Sequence, residues 1–416
     1  MTRLRVELVS EHASPLATVG EPDAGGQNVH VAALATQLAA LGCQVTVATR
    51  ADAPELAERV VMAPDVEVRN VRAGPPRPLA KDELWAHMPA FARELRRRWR
   101  RRPPDVVHAH FWMSGWAARQ AGQALAAPPP VVQTFHALGV VKRRHQGAAD
   151  TSPPDRCAVE AGLVRTVDHV IATCSDEVVE LTALGGRRDR ITVVPCGVDT
   201  GAFRPGGPAA PPREGGHRVV VVSRLVPRKG IDDVVATLPR LPGTELLVAG
   251  GPPAAALDDD AEARRLRALA RELGVADRVR LLGAVARCDV PPLLRSADVV
   301  ACVPWYEPFG IVPVEAMACG TAVVGSAVGG LLDTIDDRRT GLLVPPRDPG
   351  AVAGAVARLL DNPSLRAHMG DEAVARVRQA YTWPQVARST LEVYRRLVTG
   401  GGTAAPDAGR GWAVPA

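Results

Sequence analysis

Two glutamates, Glu307 and Glu315, stand eight residues apart in the stretch EPFGIVPVEAMACG. Gly310 permits a tight turn between them, and Pro313 suits the first turn of a helix, where its missing N–H costs nothing. Glu315 then lies inside that helix, and the amides of Phe309, Gly310 and Ile311 lack intrahelical partners. Free amides at a helix start attract anions, phosphate above all. A carboxylate repels phosphate but accepts hydrogen bonds from hydroxyls. A ligand with both groups, such as a sugar nucleotide, would use everything this stretch offers. The plainer reading of the same residues is an acidic helix start that complements the macrodipole.

Other stretches add matching groups. In VVVVSRLVPRKGIDDVV, Arg224 sits at a strand end and Lys229 before a helix, two cations suited to clamp a diphosphate. Lysine is scarce: the 50 basic residues include only Lys81, Lys142 and Lys229, so each lysine stands out against arginine. The pair Gly25 and Gly26 precedes an amphipathic helix carrying Val29, Ala32, Ala33 and Leu34. It is neither G-x-G-x-x-G nor a Walker A loop, so it reads as close backbone approach to a phosphate or simply as a tight turn. His108, His110 and His136 follow buried strand patterns, beside Phe111, Phe135, Trp112 and Trp116. Such tips suit a cleft wall with aromatic faces for sugar rings. The alternative is satisfied core histidines, and alternation points His108 inward.

Around these groups, short apolar runs alternate with helical periodicity. Strands are expected at 4–10, 44–50, 66–71, 105–110, 130–136, 169–174 and 191–197, with helices at 26–41, 82–101 and 175–184. The Pro/Gly-rich segment 204–217 reads as a linker. The alternation then restarts with strands at 218–225, 245–251, 278–283, 298–304, 322–326 and 341–346 and helices at 259–273, 350–361, 363–380 and 384–398. The fold class is therefore α/β, two doubly wound Rossmann-like domains facing across a cleft, with ligands beyond the carboxyl ends of the strands. The expected domains are 1–203 and 218–380. A C-terminal helix follows over 381–398, with a return to the N-terminal domain as one option, and then a disordered tail over 399–416.

Composition narrows the function classes. With 416 residues the chain can bury two or three cores. No apolar run reaches membrane-span length, and the charged start MTRLRVELVSEH is not a signal peptide, so a cytoplasmic location is expected. Seven cysteines are scattered with no C-x-x-C pair, which argues for a reducing compartment and against a zinc site. The net charge of +5 is spread along the chain without a nucleic-acid module.

Together, EPFGIVPVEA, SRLVPRKG, PDAGGQNVHV, KDELW, VVHAHFWMSG and FHALGVVK resemble the retaining nucleotide-sugar glycosyltransferases of GT-B architecture, glycosyltransferase family 4. The similarity runs from the Gly25 and Gly26 loop to TGLLVPPRDP at 340–349. The N-terminal half is most similar to the branch of sucrose-phosphate synthases and mycothiol-pathway inositol-phosphate glycosyltransferases. The resemblance implies a UDP-sugar donor as co-substrate, no metal or other cofactor, and a small acceptor; a homodimer is compatible with it. It assigns Glu315 to the ribose, Glu307 to the donor sugar, and the amides of Phe309, Gly310 and Ile311 to sugar and phosphate. Arg224 and Lys229 hold the diphosphate, Gly25 and Gly26 line the phosphates from the other domain, and His136 contacts the donor sugar near the reacting carbon. His136, Arg224, Lys229 and Glu307 form the implied catalytic set. Asn28, Lys81, His110, Phe111, Trp112 and Lys142 form the expected acceptor set. Lys81 and Lys142 are read as facing the cleft and binding an anionic acceptor, a phosphorylated sugar or polyol, because a compact ammonium and a planar guanidinium are not interchangeable. The bland alternative is two surface lysines.

This sequence also departs from the family pattern. Asp333 stands where a glutamate is frequent. Phe111 and Ala137 replace a tyrosine and a threonine common in the inositol-phosphate branch, which points away from inositol phosphate as acceptor. A GT-B epimerase and a catalytically silent sugar-nucleotide-binding protein are the competing functions.

Overall fold

The computed structural model describes residues 3–17, 26–147, 150–211 and 216–400. Gly25 and residues 401–416 of the expected tail lie outside the described residues.

The N-terminal sheet comprises β1 (Arg5–Val9), β2 (Gln44–Arg50), β3 (Arg59–Ala63), β4 (Val66–Val71), β5 (Val106–His110), β6 (Val131–Thr134), β7 (His169–Ala172) and β8 (Ile191–Val193). Their spatial order is β3-β4-β2-β1-β5-β6-β7-β8. All neighbours are parallel except β3 with β4. The second sheet comprises β9 (His217–Val222), β10 (Thr244–Ala249), β11 (Val279–Gly283), β12 (Val299–Cys302), β13 (Ala322–Ser326) and β14 (Leu342–Val344). It is parallel throughout, in the order β11-β10-β9-β12-β13-β14. Central strands such as β5, β6, β7 and β10 are buried on both faces, which is why they read as continuous apolar runs. Each half is an open sheet covered by helices, and the fold is that of two Rossmann-like α/β domains.

Three features differ from the sequence expectation. The edge strand β3 was not anticipated; it is largely exposed, with Val61 71% accessible, so no burial pattern marks it. The segment read as one helix over 82–101 is a 3₁₀ turn, Lys81–His87, followed by the helix Met88–Arg101. Pro89 favours a fresh helix start there. The linker is docked along its described part: the Ala210 amide donates to the Pro292 carbonyl at 2.9 Å, and Arg295 donates to the carbonyls of Arg204 and Pro208. The expected linker also overlaps β9, which begins at His217.

The helix Trp383–Thr399 returns to the N-terminal sheet. Its Trp383, Val386, Leu391 and Tyr394 join the core formed by β1, β2 and the helix Gly26–Ala40. The chain thus crosses between domains twice, near 204–217 and again near Thr382, which bridges Val198.

Candidate active site

In the second domain the donor-side groups lie beyond the ends of β9 and β12. The turn after β12 needs Gly310 in a left-handed conformation, φ +89°, and a Cβ there would come within 2.5 Å of Leu331 Cδ2. Gly329 and Gly330 after β13 pack beneath the turn, and the Gly330 amide donates to the Glu307 carbonyl at 2.9 Å. This is the glycine-rich turn of VGGLLDTI, just before Asp333, and two glycines after a strand signal close backbone approach. The helix Ile311–Ala318 has Gly310 at its N-cap and no side-chain cap, so its first amides are not satisfied by a side chain.

Glu315 lies on this helix and is only 1% exposed. Burial pushes its carboxyl up, and the Arg287 guanidinium, 2.5 Å from Oε1, opposes that. Arg287 comes from the turn Arg287–Asp289 and also stacks over the Phe203 ring at 4.5 Å. It was absent from the sequence reading, because one arginine among many carries no signal. Lys229 is ion-paired with Glu307, both partly buried. Gly230, at φ +64°, lets the loop behind Lys229 pass against the Val303 carbonyl. Arg224 is exposed at the end of the β9 loop. Burial lowers the neighbouring Arg228, and the Arg224 charge adds to that.

The first domain presents histidines to the same region. His136 has a left-handed backbone, φ +61°, immediately after β6. Such a conformation is strained for a side-chain-bearing residue and is tolerated where surroundings impose it. Its Nε2 is 2.9 Å from His110 Nδ1, and the His30 ring lies 5.1 Å away. Burial drives His136, His110 and His108 well below the ordinary imidazole value, and each is lowered further by its neighbours. His30 is lowered to about 4 by burial. The cluster is therefore neutral near pH 7. His108 is satisfied within the core by the Tyr394 hydroxyl at 2.6 Å and Thr134 Oγ1 at 2.9 Å.

The domains touch here. A Cβ on Gly26 would lie 3.0 Å from Ile311 Cδ1, so the helix start of one domain faces that of the other. The Cys174 thiol donates to the Pro308 carbonyl at 3.1 Å. The Ser175 amide and hydroxyl donate to the Asp333 carboxylate at 2.5 and 2.6 Å, and His145 stacks on Tyr306 at 5.0 Å.

The expected acceptor residues divide. Phe111 is held at φ +80°, with Lys81 Nζ 4.3 Å and Arg156 Cζ 5.1 Å from its ring centroid. Asn28 donates to the Ser14 carbonyl at 2.9 Å. Lys142 does not present an isolated charge: it pairs with Asp150 at 2.9 Å and donates to Ser152 at 2.8 Å. Four of the expected set are buried, Phe111 at 2% and Asn28 at 4% among them. Trp112 is 1% exposed and packs on Trp85 at 4.6 Å, inside the core rather than on the pocket wall. His110 is fully buried and meets His136 instead of open space. Sequence reasoning missed Arg156, which is 4% exposed and donates to Glu160 and the Ala137 carbonyl beside His136. Among the described residues, no group of three His, Cys, Asp or Glu side chains could hold a metal ion.

Two facing Rossmann-like domains with a glycine-supported helix start, paired acidic residues and a basic loop between them define a GT-B glycosyltransferase. Residues 24–202 match Glycosyltransferase Family 4, and residues 208–376 match Glycosyl transferases group 1. The D-inositol 3-phosphate glycosyltransferase of Acidothermus cellulolyticus is 40% identical, covering 97% of this chain and 93% of its own length. That of Mycolicibacterium smegmatis is 38% identical over 96% and 92%. Among solved structures, sucrose-phosphate synthase from Thermosynechococcus elongatus superposes with a TM-score of 0.86 at 32% identity, covering 96% of this chain and all of that one. HepE of Anabaena, solved with UDP and glucose, gives a TM-score of 0.71 at 19% identity and speaks for the fold alone. The chain belongs to the family 4 GT-B glycosyltransferases and is an enzyme of that class.

Proposed function

We propose that the enzyme moves a hexosyl unit from a UDP-sugar to a phosphorylated sugar or polyol, with retention of anomeric configuration. One observation carries the reading: Glu315, the Lys229 and Glu307 pair and the uncapped helix start belong to the domain whose Ile311 meets Gly26 of the other across the domain contact. Glu315 takes the ribose hydroxyls, sharing its carboxylate with Arg287. Glu307 takes sugar hydroxyls. Arg224, Lys229 and the amides of Phe309, Gly310 and Ile311 hold the diphosphate. As the bond from the anomeric carbon to the diphosphate oxygen breaks, these donors stabilise the departing charge. The acceptor hydroxyl bonds to the same face of that carbon and gives its proton to the departing phosphate oxygen. Neutral His136 is positioned for the sugar and takes no net proton.

The phosphate on the acceptor is supported by Lys81 and Arg156 over Phe111. The names of the inositol-phosphate and sucrose-phosphate relatives point the same way. The proposed setting is cytoplasmic; no helix among the described residues is long and apolar enough to cross a membrane. The test is a thermal-shift screen of nucleoside diphosphates followed by donor hydrolysis without acceptor. Selective stabilisation by UDP and slow UDP-sugar hydrolysis are expected. Preference for another base, or no hydrolysis of any donor, contradicts the reading.

A further inference from the structure

The two chain neighbours of Glu307, Tyr306 and Pro308, both touch the first domain. The Tyr306 ring stacks on His145, with centroids 5.0 Å apart and planes 17° from parallel. Ring centroids roughly 4.5–7 Å apart in such a stack make a favourable aromatic pair. The Pro308 carbonyl accepts from the Cys174 thiol at 3.1 Å. Tyr306 is also the one side chain of the second domain, among the described residues, that packs against the core around Phe91, Trp99 and Phe135. Glu307 itself is held by its own domain, through Lys229 and through the Gly330 amide, which donates to its carbonyl at 2.9 Å. Trp305 is likewise fixed within the second domain: its amide donates to the Arg228 carbonyl at 2.9 Å, and Arg347 Cζ lies 3.9 Å from its ring centroid. The domain contact therefore grips the chain on each side of Glu307.

The elements that do the gripping are tied to one another. His145 stands on the helix Gly139–Gln146, which starts just after His136. Cys174 is the N-cap of the helix Ser175–Ala183, where its sulfur accepts from the Glu177 amide. Arg144, beside His145, joins the two helices by donating to both carboxylate oxygens of Glu180 at 2.6 and 3.0 Å. Burial lowers His145, and Arg144, Arg347 and Arg228 add to that, so its ring is neutral near pH 7. Burial raises the Tyr306 phenol, with Asp176 and Glu177 next, so it is neutral as well. The Tyr306 hydroxyl makes no hydrogen bond among the described residues, which leaves the ring face to make the contact. The ring also rests over Gly329, where a Cβ would come within 3.1 Å of Tyr306 Cε2.

In the proposed reaction His136 and Glu307 meet the donor sugar from opposite domains, and the stack joins the two segments that carry them. We propose that Tyr306 is a positioning residue for Glu307: by stacking on His145 it fixes the loop 305–308 against the first domain, and so holds the Glu307 carboxylate toward the donor sugar that His136 also meets. This rests on the reading of Glu307 as a ligand of the sugar and adds the route by which the first domain acts on it. Glu315 and Arg224 lie outside this loop. Loss of the ring therefore spares the nucleotide and misplaces the sugar.

The test measures hydrolysis of UDP-glucose by the full-length enzyme, together with UDP affinity by isothermal titration. Wild type is compared with Tyr306→Ala, Tyr306→Phe, His145→Ala and the Tyr306→Ala/His145→Ala double variant, with Glu307→Gln as the control for the sugar contact. Loss of one aromatic pair corresponds to a rate loss of roughly three- to tenfold. Tyr306→Ala and His145→Ala should each lower kcat by that factor and leave the UDP Kd within about twofold. The double variant should be no slower than the slower single one, because the two share one contact. Tyr306→Phe keeps the ring and should keep the wild-type rate. The His145 ring is only half-buried, so His145→Ala keeps the test decisive where Tyr306→Ala folds poorly. A wild-type kcat in His145→Ala or Tyr306→Ala, beside a slow Glu307→Gln, overturns this inference alone. So do losses that multiply in the double variant, a loss that Tyr306→Phe shares, or a UDP Kd that weakens along with kcat, since each marks a merely structural role. A wild-type rate in Glu307→Gln, or no hydrolysis of UDP-glucose by wild type, overturns the donor reading and this inference with it.

Discussion

Acidification should destabilise the protein through its buried neutral histidines, His30, His108, His110, His136 and His169, and the share of His30 can be isolated. His30 lies on the helix Gly26–Ala40, 5% exposed, between the rings of His110, His136 and Trp383 at 5.5, 5.1 and 5.3 Å. Its Nδ1 is buried without a hydrogen-bond partner among the described residues. Burial lowers its pKa from 6.5 to about 4. The unfolded chain therefore takes up the proton first as pH falls. The stability tied to neutral His30 is complete above about 6.5, is lost as pH drops toward about 4, and does not change further below that. The full window is worth about 3 kcal/mol, of which about 2 kcal/mol is gone by pH 5. Glu7, Glu160, Glu177 and Glu315 act in the opposite sense, since burial raises each of them and their contribution is lost as pH rises. Urea unfolding of wild type and His30→Phe at pH 7.5 and pH 5 separates the two, because the variant keeps every carboxylate and an aromatic ring that cannot titrate. Wild type should lose about 2 kcal/mol more than the variant over that interval. Equal losses would refute the claim that a buried neutral His30 carries this pH dependence.

Glu315→Ala should weaken UDP binding by roughly 1.5–3 kcal/mol in isothermal titration, since it removes charged acceptors for the ribose and leaves Arg287 unpaired; an unchanged Kd counts against the ribose role. Gly310→Ala forces a side chain into φ +89° and toward Leu331, so a loss of about 1–3 kcal/mol in stability and weaker UDP binding are expected, and a variant with wild-type Tm and Kd contradicts the role of the turn. Asp333→Ala removes both bonds to Ser175 across the domain contact. Small-angle scattering of the UDP-bound variant should show a larger radius of gyration than bound wild type, and identical curves would show that this contact does not hold the domains closed.

The two sheets were legible because their central strands are buried on both faces and leave unbroken apolar runs. β3 was not, because an exposed antiparallel edge needs no such run. The donor-side geometry could be read from EPFGIVPVEA, where a glycine, a proline and two carboxylates at fixed spacing constrain one another locally. The acceptor side could not be read as far. Trp112 looked like a sugar platform, but Trp85 from a turn distant in sequence covers it. Arg156 and Arg287 are indistinguishable in sequence from many surface arginines, and only tertiary placement beside Phe111 and Glu315 singles them out. Lys142 stood out by rarity, yet its charge is answered by Asp150 only eight residues on. Buried Glu11 was hidden for a related reason: its partner Ser114 lies 103 residues further along the chain.

The central claim is tested most directly by proton NMR of a reaction containing UDP-glucose and fructose 6-phosphate or inositol phosphate, followed in real time at the anomeric signal. The account predicts a new glycosyl product with the α configuration of the donor, UDP released in equal amount, and little turnover when the acceptor lacks its phosphate. A β-configured first product, UDP release with no glycosylated product, or equal transfer to the unphosphorylated acceptor would contradict it.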